Sequence, residues 1–128
     1  MSKILLYNIQ GEKLMKLRGA AALLGLEAIE VPPQAHAHPV GYLLGYEGFA
    51  PSGSAESFPE EMLVMETLSS PLLDYMRTSG ATVALKAVVT EQNCGWDGAS
   101  LCRELRREHE AMRAYAAKKP VHSRKKKK

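Results

Sequence analysis

The chain has 128 residues, 45% apolar and 24% charged, the size and balance of one soluble globular domain. No apolar run reaches the ~18–20 residues of a membrane span, and the start lacks a secretory leader's apolar stretch and cleavage site, so a cytoplasmic protein is expected. Two cysteines make no disulfide framework, and the formal charge of +3 is concentrated at one end of the chain.

Lys3–Ile9 is short and apolar between polar neighbours, as a buried strand is. A helix is expected from Glu12 to Leu24, because Leu14, Leu17, Ala21 and Leu24 fall on one helical face. Gly25 suits the left-handed residue that closes a helix. Glu27–Val31 is a second strand, ended by Pro32-Pro33. A short helix is expected over Pro39–Leu44. Residues 46–60 are rich in Gly, Ser, Pro and Glu and form a loop.

Glu61–Leu68 is a third strand. Ser70 as N-cap and Pro71 at the first helical position begin a helix to Ser79, closed by Gly80. Thr82–Thr90 is rich in β-branched residues and nearly continuous in apolar character, which predicts a central strand. Asp97 can cap a last helix over 98–116, with Leu101, Leu105, Met112 and Tyr115 inward.

The expected fold is a single small α/β domain over 1–117, in the order βαβα-βαβα. Its four-stranded, mainly parallel sheet would carry helices packed on it. Segments 1–45 and 61–117 look alike, since Leu5-Leu6-Tyr7 aligns with Leu63-Val64-Met65, and a duplication is one reading. The tail, 118–128, holds seven of the 17 basic residues and no acid, which leaves residues 1–117 at a net −4. Lys118, Lys119, Arg124, Lys125, Lys126, Lys127 and Lys128 repel one another, so a disordered tail is expected. Such an arm could bind nucleic acid or another polyanion, or could merely solubilise.

The run Leu85-Lys86-Ala87-Val88-Val89-Thr90, then Asn93 and Trp96, then Leu101 and Glu104-Leu105, resembles an uncharacterised bacterial family. It is the domain-of-unknown-function family three-seven-eight-three, and the likeness spans about Glu61 to Glu108. The resemblance implies a fold and no reaction.

Were all strands parallel, their carboxyl ends would gather Asn8, Thr67, Thr90, Asn93 and Trp96 on one rim as a ligand site. Asn93 and Thr90 also have a purely structural reading, fixing a tight turn with Trp96 over the core. Cys94 precedes a helix N-terminus, and a nucleophilic role would need His36 or His38 as its base. His36-Ala37-His38 lacks a third ligand with metal spacing, and no glycine-rich phosphate cradle is present, so no metal or cofactor is expected. Tyr42, Leu43, Tyr46 and Phe49 offer an apolar patch for a protein partner or a homodimer. The expectation is a non-catalytic binding or regulatory module. The alternatives are an enzyme using Cys94 and a nucleic-acid accessory protein using the tail.

Overall fold

The computed structural model describes residues 1–116 with their side chains, and the last helix is assigned as Gly98–Lys127. The expected disorder of 118–128 lies outside the described residues. The order is β1 (Lys3–Tyr7), α1 (Gly11–Leu23), β2 (Glu27–Val31), α2 (Val40–Leu43), β3 (Met62–Met65), α3 (Ser70–Ser79), β4 (Leu85–Val88) and α4 (Gly98–Lys127). Short 3-10 turns over Pro33–Ala35 and Asn93–Gly95 precede α2 and α4.

The strands form one mixed sheet in the order β2-β1-β3-β4. β1 pairs with β2 in parallel, and β3 with β4 in parallel, but β1 and β3 run antiparallel. The exits of β1 and β2 therefore lie at one end of the sheet and those of β3 and β4 at the other. This corrects the single shared rim. It also moves the Thr82–Thr90 strand from the centre to an edge. α4 packs on one face of β4 and buries Leu85, while Lys86 on the other face is exposed, as an edge strand allows.

The halves match in order and spacing. Adding 58 to the numbers of Ile4–Tyr7 gives Met62–Met65, and adding 58 to Pro39 and Val40 gives Asp97 and Gly98. Pro39 and Asp97 themselves pair in an antiparallel bridge, so equivalent positions meet as they would across a two-fold.

Two apolar cores flank the sheet. Ile4, Leu6, Leu63 and Met65 point to α1 and α3, where Leu17 and Leu72 are fully buried. Leu5, Tyr7, Met62 and Val64 point to α2 and α4, meeting Val40 and Leu101. Burial of such side chains contributes roughly 1.5–3 kcal/mol each against exposure.

The helix ends follow from local chemistry. Ser69, one residue before the expected cap, accepts the Leu72 N–H at 3.3 Å, so Pro71 falls at the second helical position. Gly80 closes α3 at φ 82°, a conformation that costs glycine little. Asp97 caps α4 by accepting the Ser100 N–H at 2.7 Å. Met112 and Tyr115 are 66% and 59% exposed and not inward, because α4 outlasts the four-residue β4 beside it.

Candidate functional site: the open edge of β4

β4 has a sheet neighbour on one side only. The Val89 N–H donates to the Met65 carbonyl at 2.9 Å, so the odd-numbered backbone groups here face β3. Alternation then turns the N–H and C=O groups of Lys86, Val88 and Thr90 to the open side.

Asn93 occupies the far end of that open side. Its Oδ1 accepts the Thr90 N–H at 2.8 Å, and its Nδ2 donates to the Val88 carbonyl at 3.1 Å. A carboxamide is chemically a peptide group. This one makes the two bonds that a residue of a parallel neighbouring strand would make opposite Val89. The Asn93 N–H donates back to Thr90 Oγ1 at 3.0 Å, and the Cys94 N–H to the Thr90 carbonyl at 3.1 Å, which closes the turn. The Trp96 carbonyl accepts the Val40 N–H at 2.8 Å and ties the turn to α2.

Between this edge and α4 lies a cleft of about 410 Å³ lined by Lys86, Val88, Thr90, Asn93, Trp96 and Glu108, among others. Glu104 also borders it and accepts from Arg107 at 2.6 Å, while Lys86 Nζ donates to the Val83 carbonyl at 2.7 Å. The lining combines one ring, two carboxylates, one ammonium and the outward-facing backbone of β4.

Thr90, Asn93 and Trp96 are thus brought together as expected. Thr67 lies at the same end of the sheet but outside the cleft, where its Oγ1 accepts from Ser2 at 3.1 Å. Asn8 is at the opposite end, a direct consequence of the antiparallel β1–β3 pair. There its Nδ2 donates to the Phe58 and Glu60 carbonyls at 2.7 and 2.8 Å, and its φ is 64°. Asn tolerates that left-handed backbone better than most residues.

Cys94 Sγ donates to the Glu91 carbonyl at 3.4 Å. The Nδ1 atoms of both histidines are already acceptors, His38 from the Ser52 N–H at 3.0 Å and His36 from the Phe58 N–H at 3.4 Å. Among the described residues no hydrogen bond joins Cys94 to either ring. Burial, opposed by the Val31 carbonyl, lowers the basicity of His36. Burial chiefly, with the nearby Asp97 charge, pushes the Tyr7 hydroxyl well above its ordinary range. Cys102 is buried, and desolvation together with Glu60 raises its thiol to about 11, which suits a packing role. Glu60 is held below the usual carboxylate range chiefly by its bond from Arg106. No group of three or more His, Cys, Asp or Glu side chains with metal-holding geometry occurs among the described residues. No helix among them is long and apolar enough to cross a membrane.

The proposed partner patch is mostly used within the chain. Leu43 and Tyr46 pack on the α4-side core, and the Tyr46 hydroxyl donates to Glu66 at 2.7 Å, a bond that pushes its pKa up to about 12. Phe49 lies against Gly41, where a Cβ would fall 2.6 Å from its ring. Tyr42 is 37% exposed.

Sequence reasoning missed the open edge. Lys86 in an otherwise apolar strand was the available signal, since charged residues commonly guard sheet edges.

Residues 62–112 match a family model described as "Domain of unknown function (DUF3783)". The matched segment runs from β3 into the first half of α4 and contains the whole lining of the cleft. No curated protein and no solved structure matches the chain.

Proposed function

We propose that this protein is a non-catalytic binding module that takes up an extended peptide segment as a fifth strand on β4. The observation that carries this reading is the Asn93 carboxamide. It already serves as a parallel neighbour of Val89, and the next groups along the same line, the Val88 N–H and the Lys86 carbonyl, continue toward the cleft. Strand addition draws affinity from main-chain bonds and selectivity from flanking side chains. Here Trp96 offers an apolar ring, while Glu104 and Glu108 favour a basic side chain on the ligand. The other sheet edge, β2, carries exposed Glu27 and Glu30 and ends at Pro32, features that discourage pairing. The bonding of Cys94, His36 and His38 supports a protein without a nucleophile and base set.

The test is selection of eight-to-ten-residue peptides on the full chain, followed by Val88→Pro. Proline removes the outward-facing Val88 N–H, keeps the carbonyl that Asn93 uses and retains an apolar side chain, a change that edge strands tolerate. Selected peptides should lose at least about tenfold in affinity, the worth of one good hydrogen bond. Peptides that bind the variant undiminished would overturn the reading.

A further inference from the structure

Residues 48–60 cross the end of the α4-side core without regular structure. The attachments of this segment are specific. The Ser52 and Phe58 N–H groups donate to the Nδ1 atoms of His38 and His36, two residues apart in the chain. The Phe58 ring stacks on His36 at 4.5 Å and leans on Tyr7 at 5.4 Å. Phe49 seats against Gly41, and Asn8 holds the Phe58 and Glu60 carbonyls. Glu56 and Glu60 pair with Arg103 and Arg106 of α4 at 2.9 and 2.6 Å.

An imidazole nitrogen accepts a hydrogen bond only while it carries no proton. Both attachments therefore require neutral rings with the proton on Nε2. We infer that 48–60 is an acid-released strap, in which protonation of His36 and His38 turns each acceptor into a donor facing an amide N–H. Two donors cannot share one bond, so each protonation costs the attachment and leaves a positive charge against the strap backbone.

The groups around the rings decide how each charge would be met. His36 is fully buried, with Tyr7 of β1 on one side, Phe58 of the strap on another and the Val31 carbonyl of β2 nearby, and Asp97 acts on Tyr7. Burial disfavours its cation. His38 is partly exposed and meets the edge of the Tyr42 ring at 5.1 Å. Among the described residues neither ring has a carboxylate within ion-pair distance to compensate its charge. Glu60 is held below the usual carboxylate range chiefly by Arg106, so that ion pair persists in mild acid and the acid response falls on the rings.

The experiment is amide hydrogen exchange of the full chain at pH 7.5 and 5.5, corrected for intrinsic exchange, with Ser52 and Phe58 as reporters. Protection at Ser52 should fall at least about tenfold at the lower pH, with a fall at Phe58 as well. His38→Asn places Oδ1 near the position of Nδ1 and cannot be protonated there, so the Ser52 response should vanish while protection at pH 7.5 stays. His38→Asn alone suffices should His36→Asn fail to fold. Unchanged protection of Ser52 in the parent chain, or an equal acid response in His38→Asn, would overturn the inference.

Discussion

Asn93→Ala is the sharpest probe of the β4 turn. It deletes the bonds from Thr90 N–H and to the Val88 carbonyl while leaving the backbone bonds of residues 93 and 94 in place. Each such bond contributes about 1 kcal/mol net. The residue is half-buried, so water replaces part of the loss, and the expected cost is about 1–2 kcal/mol. In a chain of this length that corresponds to a fall in Tm of roughly 4–7 °C. Asn93→Asp keeps the acceptor for Thr90 but turns an oxygen toward the Val88 carbonyl, so it should cost at least as much. Calorimetry on the three proteins measures both. A Tm for Asn93→Ala within about 1 °C of the parent would show that the carboxamide does not hold the edge.

Three further outcomes follow from the same geometry. Gly98→Ala should destabilise by about 1–3 kcal/mol in urea unfolding, because a Cβ there would lie 2.7 Å from the Tyr7 ring and 2.9 Å from the His36 carbonyl oxygen. Tyr7→Phe should be neutral or stabilising by up to about 1 kcal/mol, since the buried hydroxyl has no hydrogen-bond partner among the described residues. A loss of 2 kcal/mol or more in the same assay would contradict that. Unfolding free energy should fall between pH 7 and pH 5. The folded state lowers the His36 pKa below its unfolded value, so stability is complete above the unfolded value and is lost as pH drops toward the folded one. Flat stability over that window would refute the assignment of His36 as a buried neutral ring.

The elements were legible because each carries local chemistry. Glu27–Val31 has the bounds that Pro32-Pro33 dictate, and α3 ends at Gly80 as a left-handed glycine requires. The direction of β3 was not legible. Ile4–Tyr7 and Met62–Met65 are apolar on both faces, so neither pattern says which way the strand runs. The linker from 44 to 61 is long enough for either direction. Because direction decides which loops share an end, an all-parallel sheet would group Asn8 with Thr90 and Asn93, whereas it lies at the opposite pole. The Thr90–Asn93–Trp96 cluster lies within one turn and depends on no strand order. The roles of His36 and His38 as acceptors for distant amides were invisible, since they join residues 14 and 22 positions apart through an irregular loop.

The claim on which the functional account rests is that a ligand main chain lines up along Lys86–Val88. Isotope-edited NMR of the full chain with a selected peptide measures this directly. The account predicts cross-strand contacts from the peptide backbone to Lys86 and Val88 and slowed exchange of the Val88 amide. Contacts confined to other surfaces, with Val88 exchanging as fast as in the free protein, would contradict it.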